Sequence, residues 1–239
     1  MSKFRVLQNS VFHSKNVLLS ETAFTVKSFY RKSVSMVPGH RNWIFWITLA
    51  IIIKSIFFIY KVEIEGNPFR NPVNIETFAS EAGDTYSYID PIEHLLSTGN
   101  YTSTLHEDYR MPGYGLPYLL LRLFLDKTWS LNVLVIFQLL FSAVSVYVLA
   151  LIALVIFKNN LFFFLTFIIY ALSTYVSLYD NLLIPESFFT ASIIFATYLL
   201  LISGNSGIKL FLAGLFLTWA IFLKPIAASF LFVFICYIL

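Results

Sequence analysis

Long apolar runs that carry almost no charge constrain this chain more than any other feature of its sequence. Most of them approach the length, about 20 residues, that a helix needs to cross the hydrocarbon core of a bilayer. The runs cover about residues 43–60, 131–157, 161–178, 187–202 and 210–223, and a further run begins near Ile226. In lipid, backbone polar groups must be satisfied within the segment, so such runs form helices. We therefore predict an all-α polytopic membrane protein with about six transmembrane helices.

The composition agrees with this class. Only 12% of the 239 residues are charged and 58% are hydrophobic, whereas a soluble domain has roughly 25% charged residues. The single cysteine, Cys236, allows no intrachain disulfide. We expect membrane lipid, and no nucleic acid, among the partners of the chain.

Charge is distributed unevenly between the two sides of the first apolar run. Residues 1–42 contain seven Lys or Arg and one acid, whereas residues 61–116 contain three Lys or Arg and nine acids. Basic segments beside membrane helices remain in the cytoplasm. We predict a basic cytoplasmic tail over 1–42, a first transmembrane helix over 43–60, an extracytoplasmic loop over 61–130, and helices two to six over 131–239. A transit peptide is the alternative interpretation of the tail.

The extracytoplasmic loop is large and contains signals for short helices at the membrane interface. Asp90 suits an N-cap, Pro91 the first helical position and Glu93 the capping-box position. Gly99 is a suitable helix stop. The apolar stretch 114–125 is too short to span a bilayer, so we expect a helix that lies at the interface.

Counting helices from a cytoplasmic N-terminus places five ionisable residues of the loop and the later helix ends on the outer face. They are Asp84, Arg110, Asp180, Glu186 and Lys224. Ionisable residues in membrane segments are energetically costly and usually mark a site. Because an unpaired carboxylate beside the apolar region is expensive, we expect Glu186 to pair with Lys224.

Three charged residues each allow a functional and a structural interpretation. Asp84 suits a general base or metal ligand, and it equally suits an N-cap for the turn that follows. Arg110 suits bidentate binding of phosphate or contact with a lipid headgroup. Lys54 either extends to the outer headgroups or faces the bundle and an anionic ligand. The histidines and acids of the loop lack the spacing of a defined metal site.

Several short motifs follow one another in a recognisable order. They are Gly83-Asp84-Thr85 with Tyr88, then Leu96, Gly99 and Tyr101, then Arg110, Pro112, Gly113 and Tyr114, and later Glu186, Ala213-Gly214-Leu215, Ala220 and Lys224-Pro225. This order resembles the GT-C glycosyltransferases of the protein O-mannosyltransferase and lipid A aminoarabinose transferase group. The resemblance covers about residues 43–239 and corresponds to the N-terminal half of such a protein.

The resemblance implies an enzyme that moves a sugar from a polyprenyl-phosphate donor to an acceptor hydroxyl at the outer or lumenal face. It implies Asp84 as the catalytic residue, Arg110, Lys224 and Lys54 as ligands of the donor phosphate, and Glu186 and Tyr88 as supporting residues. It leaves the cofactor open, with a divalent metal as the candidate. It favours the plasma membrane of a bacterium over the endoplasmic reticulum.

The chain departs from the family pattern in two ways. Thr85 stands where many relatives have a second acid, and relatives have about twice as many apolar spans. We therefore expect a fragment, or a chain that needs a partner to supply the missing helices. The alternative function is a non-catalytic polytopic membrane protein, such as a transporter half, an assembly partner or a degenerate paralogue.

Overall fold

The structure, a computed structural model, describes residues 42–60, 79–102, 111–204 and 206–238. The predicted basic tail, the first part of the loop and Arg110 lie outside these residues. The α-helices of the described residues are α1 (Trp43–Ile59), α2 (Thr85–Thr98), α3 (Gly115–Arg122), α4 (Lys127–Phe157), α5 (Asn160–Ala171), α6 (Thr174–Leu178), α7 (Glu186–Leu201), α8 (Gly207–Leu223) and α9 (Ala228–Ile238). The prediction of an all-α fold is confirmed.

Helix α4 is the centre of the bundle. It packs against α1, α3, α5 and α7, and α7 packs in turn against α8. Its first turn is capped by Asp126, whose carboxylate accepts a hydrogen bond from the Trp129 amide at 3.0 Å. Small residues such as Ala143 and Ala150, both fully buried, let neighbouring helices approach closely.

Of the described helices, only α4, with 31 residues, is long and apolar enough by itself to cross a membrane. Helices α1, α5, α7 and α8 are apolar but have 10–17 residues. The count of about six transmembrane helices therefore remains a prediction.

The prediction of one continuous third span over 161–178 is wrong. Helix α5 ends at Ala171 and α6 begins at Thr174. Ser173 has extended backbone angles, and its side chain accepts from the Val176 amide at 3.4 Å, so it caps a new helix. A serine in this position offers the backbone an alternative to continuing the helix.

The prediction of a helix start at Asp90 is also wrong, because α2 runs without interruption from Thr85 and contains Pro91. The helix begins a turn and a half earlier, where the Asp84 carbonyl accepts from both the amide and the hydroxyl of Ser87, at 3.1 and 2.7 Å. The end of the helix is as predicted. Gly99 has a φ of 80° and donates its N–H to Leu95 O at 2.8 Å.

The loop is held against the ends of α7 and α8 by backbone contacts. Ser80 forms an isolated parallel β-bridge with Leu182. The Ser80 amide donates to Asn181 O, and the Leu183 amide donates to Ser80 O, both at 2.9 Å. The Thr85 hydroxyl donates to Leu183 O at 3.0 Å. Farther along, the Trp219 indole N–H donates to the Gly113 carbonyl at 3.1 Å. These contacts fix the loop beside the start of α7, where the charged residues gather.

Candidate functional site

A cavity of about 310 Å³ lies between the turn before α7, the middle of α4 and the end of α8. Most of its polar lining consists of hydroxyl groups, contributed by Ser142, Ser145, Tyr170, Tyr175, Tyr179, Ser187 and Thr190. Glu186 and Lys224 complete the polar part of the wall. We call this the hydroxyl cavity.

Glu186 and Lys224 form an ion pair, as the sequence predicted. The Lys224 ammonium lies 2.5 Å from Glu186 Oε1, and both side chains are about one-third exposed, at 33% and 29%. Glu186 begins α7 directly after Pro185, so its carboxylate lies at the positive end of the helix dipole. Lys224 has extended backbone angles beyond the end of α8, and this turns its side chain toward α7.

Two buried polar atoms that belong to residues of this cavity have no hydrogen-bond partner among the described residues. They are Glu186 Oε2 and Ser142 Oγ, although the Ser142 hydroxyl lies near enough to the Asp180 carboxylate to help lower the pKa of that group. Buried polar groups are nearly always satisfied, and leaving one unpaired costs about 1–3 kcal/mol. The cavity is therefore prepared for a ligand or water that donates to the carboxylate and contacts the hydroxyl.

A second ion pair lies deeper in the bundle. The Lys54 ammonium is 3.1 Å from Asp180 Oδ2, and the two side chains are 0% and 1% exposed. Lys54 also donates to Ser177 Oγ at 3.1 Å, and Ser187 donates to Asp180 Oδ1 at 2.8 Å. Burial raises the pKa of Asp180, and the Lys54 ammonium and the Ser187 hydroxyl oppose that rise.

This geometry decides between the two interpretations of Lys54. The side chain does not extend to headgroups, because it is fully buried. It faces the bundle, and its anionic partner is Asp180 of the same chain. The predicted role of Lys54 in binding donor phosphate is therefore corrected, since its ammonium is enclosed by Asp180 and Ser177.

Asp84 lies immediately before α2 and is exposed. Its side chain makes no N-cap hydrogen bond, so the capping interpretation is not supported. It is also not among the residues that line the hydroxyl cavity. Tyr88 is buried in the core, where its ring packs edge-on against Tyr114 at a centroid distance of 5.6 Å.

A second cavity, of about 460 Å³, lies beside Asp84 and shares Tyr179 with the hydroxyl cavity. Its lining comprises Glu81, Ala82, Gly83, Tyr86, Leu178, Tyr179, Leu182 and Ile184. The Tyr86 hydroxyl donates to Glu81 Oε2 at 2.8 Å. This hydrogen bond to a carboxylate raises the pKa of Tyr86. We call this the tyrosine cavity.

Sequence reasoning missed two polar networks, one that joins the loop to the bundle and one within the loop. In the first, Tyr114 donates to Gln138 Oε1 at 2.6 Å and Gln138 donates to Leu182 O at 2.9 Å, with both side chains fully buried. The isolated Gln138 within a charge-free apolar run was the signal available in the sequence.

The second network joins α2 to α3. Arg122 contacts both carboxylate oxygens of Glu93, at 2.7 and 3.2 Å, and the Tyr118 hydroxyl donates to Glu93 at 2.5 Å. Partial burial disfavours the ionised carboxylate, but the hydrogen bonds from Arg122 and Tyr118 outweigh it and lower the pKa of Glu93. Burial raises the pKa of Tyr118 well above its usual value, and the bond to Glu93 adds to this.

Among the described residues, no three His, Cys, Asp or Glu side chains are grouped so that they could hold a metal ion. Comparison with protein-family models, with curated proteins and with solved structures finds no match for this chain. The geometry of the two cavities is therefore the basis on which a function can be argued.

Proposed function

We propose that this chain acts as a polytopic membrane glycosyltransferase that moves a sugar from a polyprenyl-phosphate donor to an acceptor hydroxyl. The observation that supports it most is the hydroxyl cavity, with its many hydroxyl groups and its unpaired Glu186 Oε2. A sugar ring carries hydroxyls that both donate and accept, so it can donate to Glu186 Oε2 and bond to the hydroxyl groups of the wall at once. The volume of about 310 Å³ is at the lower end of the range for small-molecule sites.

Lys224 is the residue to which we assign the donor phosphate. Its ammonium lies at the edge of the hydroxyl cavity and is one-third exposed, so a phosphate can reach it without displacing the core. As the sugar leaves the lipid phosphate, negative charge grows on the phosphate oxygens, and a fixed cation stabilises that charge. Arg110 is proposed for the same role from its sequence motif, and it lies outside the described residues.

The proposed step forms one bond and breaks one. The acceptor oxygen bonds to the anomeric carbon of the sugar while the bond from that carbon to the phosphate oxygen breaks. The polyprenyl phosphate leaves with the electron pair of the broken bond. The acceptor proton passes to the carboxylate of Asp84, the proposed base.

The location of Asp84 determines the side from which the acceptor must approach. Its neighbour Gly83 lines the tyrosine cavity, so the acceptor would have to approach from that side. The two cavities share Tyr179, which would place donor and acceptor next to each other. The lipid tail would lie along the exposed apolar faces of the helices, and the plasma membrane of a bacterium is the proposed compartment.

Sugar transfer by the whole chain tests the proposal. The protein would be incorporated into liposomes with a polyprenyl-phosphate donor carrying a radiolabelled sugar, and labelled product would be measured. Lys224→Met and Asp84→Asn are each expected to reduce turnover by about 10²-fold or more. Lys127→Met is the matched control, because Lys127 is exposed at the start of α4. Absence of transfer by the wild type, or unchanged turnover of Lys224→Met, would refute the proposal.

A non-catalytic membrane protein, such as a transporter half, is the second candidate. The buried Lys54–Asp180 pair favours it, because charged pairs enclosed in a helical bundle often mark substrate or ion pathways. Solute flux in the same liposomes, without any transfer product, would support this second candidate in place of the first.

A further inference from the structure

The tyrosine cavity has a chemistry different from that of the hydroxyl cavity. Leu178, Leu182 and Ile184 give it apolar walls, and Glu81 is the one charged side chain among the described residues that line it. Tyr86 and Tyr179 line the same space. A carboxylate beside aromatic rings and aliphatic side chains is a combination that suits an organic cation.

We propose that the tyrosine cavity binds an ammonium group attached to an apolar body. Among the described residues, the Glu81 carboxylate accepts a hydrogen bond from Tyr86 at 2.8 Å, and a carboxylate has roughly four acceptor positions. It therefore retains the capacity to hold a cation. The tyrosine rings attract the same cation through the negative faces of their π systems, and the apolar walls remove the aliphatic part of the ligand from water.

The same arrangement discriminates against anions. A carboxylate or phosphate in this cavity would face Glu81 without a compensating cation from the described lining residues. Unfavourable charge contacts of this kind are a common source of specificity. The identification of this ligand as the acceptor of sugar transfer rests on the proposed function, whereas the binding itself does not.

Binding of matched probes tests the inference directly. The whole chain would be placed in nanodiscs of zwitterionic phosphatidylcholine. Affinities would be measured by calorimetry for hexyltrimethylammonium, for its neutral isostere with carbon in place of nitrogen, and for hexanoate. The cation is expected to bind about tenfold tighter than the isostere, and hexanoate is expected to bind more weakly than either.

Three variants distinguish the cavity from general charge attraction. Glu81→Gln is expected to remove the preference for the cation, whereas Tyr86→Phe keeps both ring and carboxylate and should retain it. Glu93→Gln is the matched control, because it makes the same chemical change at a carboxylate paired with Arg122. Equal binding of the cation and its isostere by the wild type, or an unchanged preference in Glu81→Gln, would overturn the inference.

Transfer assays with the same three head groups on a hydroxylated acceptor separate the two proposals. Selective binding of the cation without sugar transfer supports this inference and refutes the transferase. Sugar transfer that is equally fast to cationic and neutral acceptors, together with unselective binding, supports the transferase and refutes this inference.

Discussion

Replacing Lys54 with methionine is the most direct test of how the bundle is held together. Methionine has nearly the shape of lysine without its charge, so the substitution leaves the Asp180 carboxylate buried without its ionic partner. The two side chains are 0% and 1% exposed and their charged atoms are 3.1 Å apart. The substitution therefore removes one half of a fully enclosed pair.

The expected magnitude follows from these distances. At 3.1 Å and an effective dielectric constant of about 20, two unit charges attract by roughly 5 kcal/mol. Removing both charges from water costs several kcal/mol per ion, so the net contribution of the intact pair to stability is small. Removing Lys54 removes the attraction between the two charges, but the cost of keeping the Asp180 carboxylate out of water remains. We therefore expect Lys54→Met to lower the free energy of unfolding by about 3–5 kcal/mol.

Denaturation in detergent micelles, followed by tryptophan fluorescence, measures this loss. Lys127→Met is the control, with an expected effect below about 0.5 kcal/mol because Lys127 is exposed. The double variant Lys54→Met/Asp180→Leu removes both charges and should recover at least about 2 kcal/mol. An unpaired Asp180 would be protonated in acid, so the loss in Lys54→Met should shrink as the pH falls.

Two results would contradict this reasoning. One is a Lys54→Met variant that is as stable as the Lys127→Met control. The other is a double variant that is less stable than Lys54→Met, because that would mean the charge on Asp180 is not what makes the single substitution costly.

Three further predictions concern contacts made by residues of the loop and by Gln138 of α4. Gly113→Ala should destabilise the protein strongly, because a Cβ there would lie 2.3 Å from the Phe222 backbone. Gly207→Ala is the control, because a Cβ at that position meets nothing within 4 Å. Thermal unfolding of both variants checks this. Gln138→Leu leaves the buried Tyr114 hydroxyl without its acceptor, whereas Leu182 O still accepts from the Ile184 amide at 2.9 Å. The substitution should therefore cost about 1–3 kcal/mol in chemical denaturation. The pKa of Glu93 is lower in the folded protein than in the unfolded chain, where it is near 4.5. At pH values above 4.5, Glu93 should therefore make the protein more stable than the Glu93→Gln variant, and this difference in stability should disappear as the pH falls through the pKa of folded Glu93. Unfolding midpoints of both proteins between about pH 3 and 6 measure the difference.

The charged residues show which ion pairs of the site could be predicted from the sequence. The pairing of Glu186 with Lys224 was predicted because a carboxylate beside apolar side chains needs a partner, and the nearest cation in the predicted topology was Lys224. The partner of Lys54 was not predicted. Asp180 is 126 residues away along the chain, and the packing of α1 against α6, which ends two residues before Asp180, brings the two together.

The local signals were reliable where one residue type dominates the backbone, and unreliable where two signals compete. Gly99 ends α2 because a residue without a Cβ adopts positive φ at little cost. Asp90 and Pro91 form a strong N-terminal signal, but α2 begins at Thr85, whose hydroxyl donates to Leu183 O across the interface. The alternative interpretation of Asp84 as an N-cap marked this earlier start, and a long-range hydrogen bond from Thr85 accompanies it.

The sequence by itself determined the helical class, because apolar runs of this length can satisfy their backbone groups only as helices. It also determined the approximate position of the helices and the need for charge pairing near their ends. Only the tertiary structure decided which charges pair, where α5 ends, and that the loop and the turn before α7 enclose two cavities of different chemistry. These outcomes depend on side chains distant in sequence that meet in space, and the periodicity of a single segment carries no information about them.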